Sequence, residues 1–387
     1  MKTKLITTTL LAACLAMSHS IAQQFNPGSD GSYGPLNIAT NTSLDLPTNG
    51  IFQCTTITVA TGATLSFRRN PLNTPVYLLA TGDVNIDGVI DVSGADGRAL
   101  VEGLGGPGGF DGGKAGFLEV PPGAGYGPGG GRGGLTGNAA SGAGSGSYAS
   151  VDTACQSTNK GAVYGSPLLV PLVGGSGSGG TTGSPGSGGG GGGGAILIAS
   201  KTRINIKSSG AIRSTGGVGQ AESNCNSASG GGIRLVAPVI SGDGTLDVRS
   251  RAYGGGGRIR IDTLDRRDFR IALNPSSSTS MGSMMLVFPF PVPRLDILEA
   301  AGTAIAEGTP GPVYVQLPYG SPTNQTVKIQ ARNFNRSILV KVVLTPDSGA
   351  PIVYDVQIDN SASNPALATV NVGLPVNQRV TVNAWKR

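Results

Sequence analysis

Apolar and polar residues alternate over short runs bounded by Gly, Pro and Asn through most of the chain, and beyond the N-terminal apolar stretch no helical period is sustained. That pattern predicts an all-β protein. The runs also repeat. Tyr77-Leu78-Leu79-Ala80 is followed by Val84-Asn85-Ile86 and then by Gly88-Val89-Ile90-Asp91. Ile196-Leu197-Ile198-Ala199 leads to Ile204-Asn205-Ile206 and Gly210-Ala211-Ile212-Arg213, and Arg234-Leu235-Val236-Ala237 to Val239-Ile240 and Gly244-Thr245-Leu246-Asp247. A truncated copy starts at Arg258-Ile259-Arg260-Ile261. A strand, a turn and a second strand entered through Gly cannot bury an apolar face alone, but stacked copies can. The expectation is a parallel β-helix or solenoid spanning residues 23–272; a β-sandwich with accidental internal similarity is the alternative.

Long Gly-rich inserts interrupt this region, at about 103–194. Of the 65 glycines, 49 lie between Gly103 and Gly257, which sets the chain apart from an ordinary α/β enzyme. Such tracts read in two ways. Gly has the most backbone entropy to lose, which favours a disordered linker. The tracts nevertheless lie inside the repeat region and carry spaced Pro107, Phe110, Phe117, Tyr126 and Pro128, which suits extended three-fold glycine helices packed as a sheaf. Residues 273–308 are rich in Ser, Met and Pro and read as a linker. From 309 to 387, strand candidates at Pro312–Leu317, Thr326–Ala331, Ile338–Leu344, Ile352–Ile358, Ala368–Val372 and Arg379–Trp385 predict a small immunoglobulin-like β-sandwich.

The first 22 residues read as a secretory signal peptide: Lys2 and Lys4, an apolar stretch from Leu5 to Met17, then Ser20-Ile21-Ala22. Leu11-Ala12-Ala13-Cys14 is an alternative lipoprotein site, with Cys14 lipidated. The expected location is extracellular or at the cell surface, the alternative a lipid-anchored outer-surface or periplasmic protein. No later segment approaches a membrane span. The only His is His19, within the signal, so a mature Ser-His-Asp or Cys-His site and a His-ligated metal are excluded. Cys155 and Cys225 sit in polar inserts and are the favoured disulfide in an oxidising compartment. Cys54, beside an alternating run, reads as a buried small hydrophobe.

Between Ala195 and Arg270 ten Arg and two Lys face five Asp and one Glu. Arg258 and Arg260 alternate with Ile259 and Ile261, and with Arg234, Arg249 and Arg251 on neighbouring copies they predict a basic outer face. Such a face suits an acidic polysaccharide, cell-surface glycan or extracellular matrix; the alternative is a solvated wall with pairing to Asp247 and Asp262. Asp83-Val84-Asn85-Ile86-Asp87-Gly88 matches the start of a calcium loop, but Gly94 stands where its bidentate carboxylate belongs. Weak calcium binding at Asp83, Asn85 and Asp87 is therefore the minor reading, and the solvent face of a strand the major one. Gly108 to Lys114 fits GxxxxGK, but Ala115 replaces the magnesium-binding hydroxyl and no helix follows, so no nucleotide is expected.

Gly190 to Gly194 followed by Ala-Ile-Leu-Ile-Ala-Ser, Gly230-Gly231-Gly232-Ile-Arg-Leu-Val-Ala-Pro, and Gly254 to Gly257 followed by Arg-Ile-Arg-Ile-Asp resemble a group of secreted bacterial Gly-rich repeat proteins. The resemblance implies export and a β-helical fold, and carries no assigned activity, cofactor or site residue. The Gly tracts are also similar in composition to the polyglycine tips of some phage adhesins. The function expected from these readings is a non-enzymatic structural or adhesive protein; the alternative is a polysaccharide lyase or glycosidase using Asp87, Asp91, Asp243 or Asp247.

Overall fold

The computed structural model describes residues 25–135, 142–220, 225–309 and 311–386. The signal segment and Cys14 lie outside them. Fifteen short strands come first: β1 Gly34–Ile38, β2 Thr42–Asp45, β3 Ile51–Val59, β4 Thr64–Arg68, β5 Val76–Ala80, β6 Val84–Ile86, β7 Val89–Asp91, β8 Ala195–Ser200, β9 Arg203–Ile206, β10 Ala211–Arg213, β11 Gly232–Gly242, β12 Thr245–Asp247, β13 Arg258–Asp265, β14 Ala272–Asn274 and β15 Thr279–Gly282. All pair in parallel, in one nine-stranded and one six-stranded sheet, the latter in the order β14-β12-β10-β7-β4-β2. Isoleucines, leucines and valines from both sheets, among them Ile57, Leu65, Ile90, Ile198, Ile212, Leu235 and Leu246, meet in one apolar core. Alternation places the intervening polar residues outside.

The expected parallel β-helix of equivalent coils is corrected by this pairing. In two copies the first two runs are separate strands, β5 and β6, then β8 and β9, whereas β3 and β11 run through both positions. β9 pairs with β11 as well as with β6, so β3, β5, β8, β11, β9 and β6 close into a six-stranded parallel ring within the larger sheet. The physical reason is local: Thr81-Gly82 and Lys201-Thr202 interrupt two copies with a turn, while Thr55-Thr56 and Pro238 continue extended in the others. The repeat pattern in the sequence treats the copies at Tyr77, Ile196 and Arg234 as the same unit and does not include β3.

The Gly tracts are a built part of the molecule. Gly188–Gly194 is buried throughout, and none of these glycines has a positive φ, as in a left-handed three-fold helix. Such a helix has no internal hydrogen bonds, so a buried one must spend every N–H and C=O on its neighbours. The amides of Gly188, Gly191 and Gly194 donate to the carbonyls of Arg98, Ala95 and Val92; those of Gly189 and Gly192 to Gly113 and Phe110; those of Gly190 and Gly193 to Asn226 and Ser229. In return the carbonyls of Gly189 and Gly192 accept from Gly103 and Gly106, those of Gly190 and Gly193 from Ser178 and Gly175, and that of Gly191 from Gly217. One strand of glycine thus sits among six neighbours, in steps of three residues. A Cβ on Gly192 would lie 2.0 Å from the carbonyl oxygen of Gly175, which is why no other residue fits.

After β15 the chain crosses the nine-stranded sheet through Met285 and Phe288, which pack with Tyr77, Tyr148, Leu169, Leu172, Leu197 and Val236 in a second apolar cluster. This covers the outer side of β5, β8 and β11. A parallel sheet buried on both faces reads as an unbroken apolar run, as Ala-Ile-Leu-Ile-Ala-Ser does. The last seven strands are β16 Arg294–Ala300, β17 Thr303–Ala304, β18 Asn324–Arg332, β19 Ser337–Pro346, β20 Ile352–Asp359, β21 Ala366–Gly373 and β22 Val380–Lys386. They form two antiparallel sheets, β17-β16-β18-β21 and β20-β19-β22, around a core that includes Val327, Ile329, Val340, Val342 and Leu344. Two differences from expectation belong together. Residues 273–308 contain β15 and β16, both paired, so the segment is not simply a linker, and Pro312–Leu317 forms no strand, the place beside β18 being taken by β16 with β17 at the edge. Trp385 packs edge-on against Phe110 of the sheaf, 5.0 Å between ring centroids, and Lys114 reaches Asp347 at 2.7 Å. Among the described residues no helix is long and apolar enough to cross a membrane.

Candidate functional site

The five arginines expected on one outer face do not share one. Arg258 and Arg260 do project from the same side of β13, but that side is covered. Arg234 and Arg260 are buried and converge on Asp262, itself fully buried: Arg234 Nη2 lies 3.1 Å from Oδ2 and Arg260 Nε donates to Oδ1 at 3.0 Å. Oδ1 also accepts the Met284 amide at 3.0 Å, and Arg234 donates to the Leu286 carbonyl at 2.6 Å. Burial pulls the Arg234 guanidinium below its usual range, with the Asp262 charge opposing it. Arg258 stacks over the Tyr148 ring at 5.2 Å and donates to the Tyr164 carbonyl at 2.6 Å. Arg234 and Arg260 are thus buried beneath the 283–288 segment, and the half-buried Arg258 is held by the Tyr148 ring and the Tyr164 carbonyl, so the three do not form an open basic face.

Arg249 and Arg251 lie on the other wall. In the six-stranded sheet the core-facing rung Leu65, Ile90, Ile212, Leu246 and Leu273 is followed by an outward rung of Ser66, Asp91, Arg213, Asp247 and Asn274. Arg213 therefore stands in register between two aspartates. Arg249 holds Asp247 through two bonds, Nε to Oδ1 at 3.0 Å and Nη2 to Oδ2 at 2.8 Å, and Arg251 pairs with Asp96. Ser93 and Thr215 fill the next row, joined at 3.0 Å. A groove of about 640 Å³ runs between this wall and the first Gly tract, lined by Ser66, Asp91, Ser93, Arg213, Thr215, Asp247, Arg249 and Arg251. Burial works to raise the Asp247 carboxyl, but the hydrogen bonds from Arg249 and the charges of Arg249 and Arg213 outweigh it and hold it below the usual carboxylate range.

The calcium triplet is dispersed. Asp83 is paired through Oδ2 with Arg203 at 3.2 Å and Asp87 through Oδ2 with Lys207 at 2.6 Å, so one oxygen of each carboxylate is already held by a cation, and Asn85 sits between them on β6. Among the described residues no cluster of three His, Cys, Asp or Glu side chains is placed to hold a metal. Lys114 of the GxxxxGK match serves the contact with Asp347. Cys155 and Cys225 are joined by a disulfide, with Cα atoms 5.6 Å apart. Cys54 is buried and free, and burial pushes its thiol up to about 11.

Arg213 is the residue that sequence reading missed. Its signal was present: Asp91, Arg213 and Asp247 each end the third run of a repeat copy, which puts them in one outward row. No known protein-family model, curated protein or solved structure matches the chain.

Proposed function

We propose that the protein is a secreted or surface-exposed, non-enzymatic structural and adhesive protein that binds acidic polysaccharide along the six-stranded sheet. The observation that supports this reading is the groove in which Arg213, Arg249 and Arg251 stand among Ser66, Ser93 and Thr215. Guanidinium groups match carboxylate or sulfate, and hydroxyls match sugar. The sheaf behind the groove fixes the arginine-bearing strands, which keeps the ordering cost of binding low. Glycoside cleavage is the weaker reading. Asp91 and Asp247 are two rungs apart, about 9.6 Å by strand spacing, but a general acid must stay protonated, and Arg249 biases Asp247 the other way.

The test is titration of the secreted protein with polygalacturonate and heparin, with Arg213→Ala and Arg249→Ala as variants. Saturable binding that weakens with salt and is lost in the double variant is expected. Binding that both variants retain, or release of reducing ends from the polyuronate, refutes the reading.

A further inference from the structure

A second polar row lies on a different face. Cα register aligns Asn37 of β1, Thr58 of β3, Asn85 of β6, Asn205 of β9 and Ser241 of β11. Each sits between two residues of the core-facing rows, so the five side chains point outward in a line with one rung per strand. At strand spacing the line is about 19 Å long. Asn is a poor strand former, yet it occupies three of these five positions, where Thr or Val would stabilise a strand better. An internal amide ladder is the ordinary explanation for stacked Asn, and it is not what these residues do. Ser241 Oγ bonds Asn205 Oδ1 at 3.1 Å, while the side chains of Asn37, Thr58 and Asn85 make no hydrogen bond within the described residues. Their donors and acceptors are unspent.

Charge selects the occupant. The row carries none, and the cations beside it are paired in place, Arg203 with Asp83 on one side and Lys207 with Asp87 on the other. Such a surface offers nothing to a polyanion and cannot take a large apolar partner. It offers a straight run of amide and hydroxyl groups to an extended, uncharged, hydroxyl-rich chain. We infer that the Asn37–Thr58–Asn85–Asn205–Ser241 row is a binding surface for a neutral polysaccharide, separate from the arginine groove.

The experiment is depletion of the full secreted chain from solution by suspensions of amorphous cellulose and of chitin, with cellohexaose and chitohexaose as soluble competitors. Binding to at least one is expected, unchanged at about 1 M salt because no charge is involved. Asn85→Ala with Asn205→Ala should weaken it about tenfold, a loss of about 1.4 kcal/mol. Thr58→Lys, which leaves the core untouched and obstructs the middle of the row, should do the same. Arg213→Ala should leave it unaltered, which separates this surface from the acidic-glycan site. No depletion by either suspension, full binding by the Thr58→Lys protein, or binding abolished by salt overturns the inference.

Discussion

Gly192→Ala tests whether the glycine sheaf is a load-carrying core. The new methyl would stand 2.0 Å from the Gly175 carbonyl oxygen and 2.4 Å from its carbon, both backbone atoms. It cannot rotate away, and Gly192 is tied on both sides, its amide to the Phe110 carbonyl at 2.7 Å and its carbonyl to the Gly106 amide at 2.9 Å. Overpacking of a tight interior costs about 1–3 kcal/mol, and stretching two hydrogen bonds adds up to about 1 kcal/mol each. Against this, alanine restricts the unfolded chain and returns about 0.4–1 kcal/mol. With both hydrogen bonds at least half lost, the net loss is about 1–4 kcal/mol. Gly373→Ala is the control, because its Cβ would meet only the Tyr354 hydroxyl at an ordinary 3.5 Å, and it should change stability by less than about 0.5 kcal/mol. Denaturant unfolding with the disulfide intact, together with amide hydrogen exchange over 188–194, measures both. Equal midpoints for the two variants, with exchange in the tract as fast as in an unfolded peptide, would show that the sheaf bears no stability.

Replacing Cys155 and Cys225 by Ser opens a loop of 70 residues, and the chain-entropy relation puts the loss near 4 kcal/mol; a double variant as resistant to urea as the parent contradicts it. Asp262→Asn leaves Arg234 and Arg260 buried without their anion and should cost about 3–5 kcal/mol, whereas Asp262→Leu with Arg234→Met and Arg260→Met should recover most of the loss. Thermal melts of the two proteins decide this, and equal losses count against it. The third concerns pH. Asp247 is held below its unfolded range, so its ion pair contributes stability above the unfolded carboxylate pKa and that contribution is lost as pH falls through the folded one. Protonation frees Arg249, so affinity for heparin, whose sulfates stay charged, should rise over the same descent. A flat or falling titration in the Asp247 protein that matches Asp247→Asn refutes the assignment.

The strands of the repeat copies, and β3 before them, were legible because burial on one side or both leaves a local trace: alternation in β3, β6 and β12, an unbroken apolar run in β8. Their closure into a ring was not, since it depends on β3 and β11 running unbroken through both positions while the copies between them are split in two, a difference that the alternation pattern does not carry. The sheaf was half legible. A glycine tract reads alike whether each N–H meets water or a carbonyl, and the difference lies in partners far away in the chain, such as Arg98, Gly113 and Asn226 for Gly188 to Gly190. What tilts the reading toward order is the spacing of Phe110 and Pro107, which mark where the tract turns against the strands and against Trp385.

The arginines show a sharper version of the same difficulty. Alternation on β13 identifies a side of the strand opposite to Ile259 and Ile261, but a side is not a surface, and which of two sides meets water depends on what else folds over it. Arg234, Arg258 and Arg260 face the second apolar cluster and are matched there by Asp262 and the Tyr148 ring, whereas Arg213, Arg249 and Arg251 face the groove. Composition cannot separate these two groups, because a guanidinium that clamps a segment and one that lines a groove are the same residue. Position within the repeat can: Arg213 and Arg249 occur in or just after the third run, where the six-stranded sheet forms, and Arg234 and Arg260 in the first, whose outer side the sheaf and the 283–288 segment cover. The third run therefore carries the residues that line the groove, and the first run those that hold the architecture together.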